Sequence, residues 1–249
     1  MSLFSVKNKV IFITGTSRGI GREIATTFLK LGAVVIGLSR KSNPKIIKNK
    51  NYHHFICNLE NFGQLKKTIN KAIKVKNKID VLINNAGITK EHDDNIYKSF
   101  DIFNKTLNVN LAAPYLISLL LIKTIKKNKN GGTIINISSL GGELGFPNNP
   151  AYISSKTGLI GLTKSLARDY GKFKINVNAV LPGYFNTDMN RKSFNNPIKK
   201  KQRSSLTMLS RWGQMNELVG TIVFLSTDEA KYITGQKIIV DGGIASKGL

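Results

Sequence analysis

The sequence predicts an α/β fold in a single domain: a doubly wound parallel sheet of about seven strands with helices on both faces. Three observations predict it. Short β-rich runs recur along the chain, and helical patterns separate them; this is the alternation that crossover helices and a parallel sheet produce. The first few runs are continuously apolar rather than alternating, as strands covered on both faces are. A glycine-rich turn joins the first run directly to the first helical stretch. At 249 residues, with 41% hydrophobic residues, the chain can bury one sizeable α/β core.

Taken in order, "VIFIT" at 10–14 is the first strand, and "TGTSRGIG" at 14–21 turns the chain into a helix over 19–31. "VVIGL" at 34–38 and "HFIC" at 54–57 are the second and third strands, and a helix follows near 61–75. "DVLIN" at 80–84 leads to a long helical pattern at 98–129, then "TIINIS" at 133–138. Pro150 suits the first turn of a helix over 151–171. "INVNAVLPG" at 175–183, a helix at 215–226 and "KIIV" at 237–240 complete the pattern. Residues 185–212 are long, polar and basic, without a clear strand, and read as a lid-like excursion over a binding site. No repeat, low-complexity tail or linker divides the chain into further domains.

The glycine turn carries the first functional reading. Gly15 allows the tight turn, Gly19 lets the backbone approach a pyrophosphate, and Gly21 permits close packing of the helix, whose free N–H groups face the phosphates. This is the Rossmann arrangement for a dinucleotide. An NAD site commonly has an acidic residue about 20 residues further on, but no Asp or Glu lies between Glu23 and Glu60. Ser39, Arg40 and Lys41 follow the second strand instead, and Arg18 stands in the loop. A hydroxyl and two guanidinium groups suit a 2′-phosphate. NADP(H) is therefore the expected cofactor, with NAD the lesser expectation.

Tyr152 and Lys156 stand four residues apart, on one face of the predicted 151–171 helix. A free phenol titrates near pH 10, and an ammonium beside it favours the phenolate and draws it toward the working range. With "NNAG" at 84–87, "NVN" at 108–110, "INISS" at 135–139, "PGYFNTDM" at 182–189 and "ITGQKIIVDGG" at 233–243, the chain resembles the short-chain dehydrogenase/reductase family over about residues 8–243. Within that family it looks most like the 3-oxoacyl-[acyl carrier protein] reductases.

The resemblance implies an NAD(P)-dependent transfer of hydride between nicotinamide and a carbonyl or alcohol. Tyr152 would be the proton donor, Lys156 its pKa-lowering partner and holder of the nicotinamide ribose, Ser139 the group polarising the substrate oxygen, and Asn110 the holder of a relay water. Ser138 is the alternative to Ser139, which fits the spacing better. Ser17 and Ile20 would complete the phosphate loop. Asn58 and Leu59 would meet the adenine, Asn58 standing where the family commonly has an acid. Asn85, Ala86 and Gly87 would pass the adenosine ribose, and Pro182, Gly183, Phe185 and Thr187 would line the nicotinamide end. The substrate side would include Leu140, Gly141, Gly142, Leu144, Phe146, Tyr184 and Met189. A 3-oxoacyl thioester on acyl carrier protein is the first substrate expectation. A sugar, sugar acid or other small secondary alcohol is the alternative. A homotetramer or homodimer is implied, through helices near 98–129 and 151–171.

Composition narrows the other classes. The net charge of +24 comes from 38 basic and 14 acidic residues, but the lysines are dispersed along the chain. Together with abundant Asn and Ile, that fits drift toward A/T-rich codons better than a concentrated nucleic-acid face. The intact catalytic set argues against a silent relative. The single cysteine, Cys57, excludes an intrachain disulfide, and His53 and His54 have no partners at metal-ligand spacing. With no signal-peptide pattern and no apolar run long enough to span a bilayer, a soluble cytoplasmic protein without membrane, metal or nucleic-acid partners is expected.

Overall fold

The computed structural model describes residues 3–42 and 48–247. Seven parallel strands form one sheet in the order β3-β2-β1-β4-β5-β6-β7. They are β1 (Val10–Thr14), β2 (Val34–Ser39), β3 (Tyr52–Ile56), β4 (Val81–Asn84), β5 (Gly132–Ile137), β6 (Ile175–Pro182) and β7 (Lys237–Val240). The helices are α1 (Gly19–Lys30), α2 (Phe62–Ile73), α3 (Ile96–Leu107), α4 (Ala113–Ile125), α5 (Pro150–Tyr170), α6 (Arg191–Phe194), α7 (Pro197–Leu206) and α8 (Met215–Leu225). The doubly wound architecture predicted from the alternating pattern is the one observed.

Two cores sandwich the sheet. On one face α1 and α8 pack Ile24, Phe28, Leu218 and Ile222 against Ile11, Ile13, Ile83 and Ile135. On the other, α2, α4 and α5 pack Leu65, Ile69, Ile117, Leu121 and Leu166 against Phe12, Ile36, Leu82 and Ile134. Helix α1 shows why its sequence forms it: Gly21, Ile24, Ala25 and Phe28 are buried at helical spacing while Lys30 ends it at the negative pole. Helix α2 begins where the Asn61 side chain caps it, accepting from the Gln64 N–H.

Three details differ from the expected pattern. The third strand begins at Tyr52 rather than His54. The long 98–129 pattern is α3 and α4 joined by a π-helical turn at Asn108–Ala112. The run Ile96–Ile125 is long and apolar enough to cross a membrane by composition. Its Ala113, Ile117, Leu121 and Ile125 are nevertheless completely buried, so they belong to the core under the sheet. The 185–212 excursion is not structureless: it carries α6 and α7. Its helices bury no residue. They are held instead by Trp212, which stacks edge-on against Phe194 at 5.2 Å and donates from Nε1 to the Lys200 carbonyl.

The strand order places β1 beside both β2 and β4, so the crossovers after β1 and β4 leave on opposite faces. A crevice opens beyond the carboxyl ends of these strands, the place where such sheets bind ligands.

Candidate active site

The phosphate loop is built by close approach rather than by side chains. Gly15 has φ +79° and Gly19 φ +55°, both in the left-handed region that favours glycine. A Cβ on Gly21 would collide with the Gly15 carbonyl oxygen and the Asn85 amide. Gly21 thus serves the tightness of the loop against β4 as much as helix packing. The loop is braced from β4: Thr14 Oγ1 accepts from the Asn85 and Ala86 N–H groups, and Asn85 Nδ2 donates to the Thr14 carbonyl at 2.8 Å. The Asn85 side chain is spent on this brace, leaving Ala86 and the Gly87 backbone toward the crevice.

Ser17, Arg18 and Ile20 lie along the turn, with Arg18 exposed at the cap of α1. The Gly19 N–H donates to Asp188 Oδ2 at 3.1 Å. A carboxylate on that N–H shows that the α1 N-terminus accepts an anion of the kind a pyrophosphate offers. Ser39 ends β2, buried, with Arg40 exposed beside it; no carboxylate stands on this turn among the described residues. The loop therefore fits a dinucleotide.

Other expected cofactor residues separate into side chains and backbone. Leu59 is buried in the core, as is Phe185, which packs on Gly213 and the α1–α8 layer. Their burial leaves the backbone as the part of each most open to a ligand. Each side chain is apolar and joins a core cluster, Leu59 on one face of the sheet and Phe185 on the other. Asn58 is exposed, and its Oδ1 accepts from the Glu60 N–H at 3.3 Å. Pro182 closes β6, Gly183 is tied to β7 through the Val240 carbonyl, and Thr187 is partly exposed on the excursion.

The residues expected to be catalytic converge at the ends of β4 and β5. Ser139 leaves β5 as the cap of a short turn, its Oγ accepting from the Gly141 N–H at 3.0 Å and hydrogen-bonding Tyr152. Ser138 turns the other way, its hydroxyl donating to the Lys156 carbonyl at 2.8 Å. It braces α5 against β5, so Ser139 is the serine at the phenol. Lys156 is buried; its Nζ donates to the Ile137 carbonyl at 2.8 Å and lies 5.7 Å from the Tyr152 ring centroid. A Cβ on Gly87 would stand 3.5 Å from that Nζ and 3.4 Å from Asn110 Oδ1. The β4 turn, α5 and the π turn therefore meet at one spot.

Asn110 sits within the π turn, completely buried. Its Oδ1 accepts from the Ile88 N–H, and its Nδ2 donates to the Ile88 carbonyl and to Ser155 Oγ. Every polar atom of the side chain is thus used for positioning. A π turn inside a helix is frequent at functional sites, and here it aims Asn110 back at the β4 turn.

The electrostatics depart from the expectation drawn for the pair. Burial raises the Tyr152 phenol above its ordinary value, and the Ser139 hydrogen bond pulls it back in part. Burial lowers the Lys156 amine to about 8. Desolvation therefore dominates both groups, and the bond that Lys156 Nζ makes is to the Ile137 carbonyl. The phenol keeps its proton at neutral pH, the state a proton donor needs.

Several residues act as braces that the sequence reading did not assign a role, although Thr14, Asn84 and Asn136 lie inside the quoted motifs. Thr14 and Ser155 act as braces, and Asn84, Asn136 and Thr163 link β4, β5 and α5 through buried amide bonds. Asp188 lies inside "PGYFNTDM", which was the one available signal for it.

A family profile described as enoyl-(acyl carrier protein) reductase matches residues 15–245. The 3-oxoacyl-[acyl-carrier-protein] reductase FabG of Rickettsia felis is 38% identical over 249 residues, 97% of this chain and 99% of its own. The protein of the same name from Thermotoga maritima is 34% identical over 247 residues, 96% of this chain and 98% of its own. Among solved structures, a 4-hydroxyisoleucine dehydrogenase complexed with NADH superposes with TM-score 0.90 at 32% identity, over 97% of this chain and 100% of its own. A gluconate 5-dehydrogenase from Burkholderia cenocepacia J2315, in complex with NADP and tartrate, gives TM-score 0.90 at 27% identity over 98% of both chains.

Proposed function

The chain belongs to the short-chain dehydrogenase/reductase family and is an NAD(P)-dependent oxidoreductase of carbonyl and alcohol groups; from that premise we propose that Tyr152, Ser139, Lys156 and Asn110 carry its chemistry. The observation that supports this most strongly is the convergence of a half-buried phenol, a hydroxyl bonded to it and a buried amine at the ends of β4 and β5.

The nicotinamide supplies or accepts the hydride when bound. The chain does the rest. The glycine loop and the α1 N-terminus hold the pyrophosphate, and Ser39, Arg40 and Arg18 favour a 2′-phosphate, making NADP(H) the preferred cofactor. Ser139 and Tyr152 bracket the substrate oxygen. In reduction the Tyr152 O–H gives its proton to that oxygen, and in oxidation the phenolate takes it back. Lys156 places positive charge under the phenol and steadies the phenolate as the proton leaves. Asn110 holds the Ile88 turn and Ser155 so that the floor of the crevice stays in place.

For the substrate, a small hydroxy or keto compound such as a sugar acid is the reading best supported. Structures that superpose on nearly the whole chain include dehydrogenases of gluconate and of a hydroxy amino acid. A basic 185–212 excursion, with Arg191, Lys192, Lys199, Lys200, Lys201 and Arg203, suits a carboxylate. The 3-oxoacyl thioester expected first from the sequence stands as the second reading. It is favoured by the curated relatives, and the same basic surface suits an acidic carrier protein. Steady-state assays with NADPH and NADH separate the two, using 3-oxoacyl thioesters on acyl carrier protein against a panel of keto acids and ketoses. Turnover confined to the thioester would overturn the first reading.

A further inference from the structure

A chain of hydrogen bonds runs beneath the adenosine end of the site. Thr16 in the glycine loop bonds the Tyr52 hydroxyl at 2.8 Å, and the same hydroxyl bonds His54 Nδ1 at 2.8 Å. On its other side His54 bonds the Lys41 backbone, and its Nε2 lies 3.5 Å from Ser39 Oγ. Ser39 donates to that same Lys41 carbonyl at 2.7 Å. The strand register explains the meeting: β2 and β3 pair Gly37 with His54. A Cβ at Gly37 would land on the Tyr52 hydroxyl and within 2.7 Å of Thr16 Oγ1. A glycine in an otherwise apolar, buried strand is thus what leaves room for the chain.

We infer that His54 is a specificity-setting positioning residue, which takes up a proton when a 2′-phosphate settles at Ser39 and Arg40 and so strengthens binding of NADP(H) over NAD(H). This rests on the proposed 2′-phosphate site. In the neutral ring, Nε2–H donates to Lys41 and Nδ1 accepts from Tyr52, which in turn accepts from Thr16. When a solvent proton adds to Nδ1, that N–H donates to the Tyr52 oxygen, and the Tyr52 O–H turns to Thr16. The chain reverses its polarity with no heavy atom moving, so both states of the ring are satisfied.

Among the described residues, the charged groups on the segments around His54 are Arg40, Lys41, Lys48 and Lys50 between β2 and β3 and Arg18 before α1, all exposed and all cationic. No acid stands on these segments or on β3. Burial lowers the His54 pKa, and the Lys41 hydrogen bond raises it in part, so the ring is neutral at neutral pH. A phosphate dianion arriving among these groups reverses the local sign and favours imidazolium. A 2′-hydroxyl brings no such charge.

The test is isothermal titration of wild type and His54→Gln with NADP and with NAD, from pH 6 to 8.5, in buffers of differing ionisation enthalpy. Glutamine can still accept from Tyr52 and donate to Lys41 but does not titrate. Wild type is expected to take up a fraction of a proton with NADP beyond whatever His54→Gln takes up, and no extra proton with NAD. The NADP Kd of His54→Gln should be several-fold weaker than that of wild type near pH 6 and converge with it by pH 8.5. The phosphate's own titration, near about pH 6, is common to both proteins and cancels. An unchanged NAD Kd shows that the variant is folded. Preference for NADP with equal proton uptake in both proteins, or an equal weakening of NAD, overturns the inference alone. Equal affinity of wild type for NADP and NAD at every pH overturns the 2′-phosphate site, and the inference with it.

Discussion

Desolvation acts on Tyr152 and Lys156 in opposite senses, and both effects have measurable signs. Burial lowers the Lys156 amine from 10.5 to about 8. The unfolded chain therefore holds this proton more tightly than the folded one. Its destabilising effect is present in full below about pH 8 and is relieved as pH rises from about 8 to 10.5, worth about 3 kcal/mol across that window. Lys156→Met removes the buried charge but leaves the Ile137 carbonyl without its donor. Thermal melts at pH 7 should show a Tm unchanged or raised, while activity falls by about 100-fold or more; a Tm drop of many degrees would show the amine to be chiefly structural. For reduction, kcat/KM should fall as pH rises through about 8, when Lys156 loses its charge while Tyr152 still keeps its proton. A profile flat to pH 10 would contradict the role given to Lys156.

At the scale of elements, the glycine loop and the π turn carry the site. Gly21→Ala forces a methyl into the Gly15 carbonyl. NADP(H) affinity should drop by about 10-fold or more, by fluorescence titration, with the far-UV spectrum retained. Asn110→Leu orphans the Ile88 N–H and carbonyl together and should cost about 2 kcal/mol in denaturant unfolding, besides lowering kcat. The strands of this scaffold were legible because β1, β2 and β4 are built mostly of Val, Ile, Leu and Phe, a pattern that suits two-sided burial. The start of β3 was not, because Tyr52, though packed in the core, turns its hydroxyl onto Thr16 and His54 and so breaks the apolar run. Helices α6 and α7 were hidden for a related reason: they bury nothing and lean on the single Trp212. The π turn adds one residue to a helical repeat, which composition does not register. Tyr152, Lys156 and Ser139 were legible as spaced motifs. The turning of Ser138 toward Lys156, and of Asn85 toward the loop, depends on which neighbour the fold brings near, and a one-dimensional pattern does not contain it.

At the scale of the whole molecule, charge and exposed apolar surface bear on what the protein meets. Ile96, Tyr97 and Phe100 on α3 are 79%, 83% and 63% exposed, a face that supports the self-association implied by family resemblance. Phe100→Asp should lower the molar mass seen by light scattering if that face joins two copies, and leave it unchanged otherwise. On α4, Ile117, Leu121 and Ile122 are core while Leu116, Leu119 and Leu120 stay partly exposed. With a net charge of +24, the KM for an acidic carrier-bound substrate should rise steeply between low and physiological salt, whereas that of a neutral ketose should barely move. The central claim is that Tyr152 is the proton donor of a hydride-transfer site. It is tested most directly by NADPH turnover of wild type and Tyr152→Phe on whichever carbonyl of the panel is reduced fastest, with NADPH affinity measured in parallel. The account predicts that kcat falls by about 100-fold or more while the NADPH Kd stays within a factor of two or so of wild type; turnover by Tyr152→Phe at a rate close to wild type would contradict it.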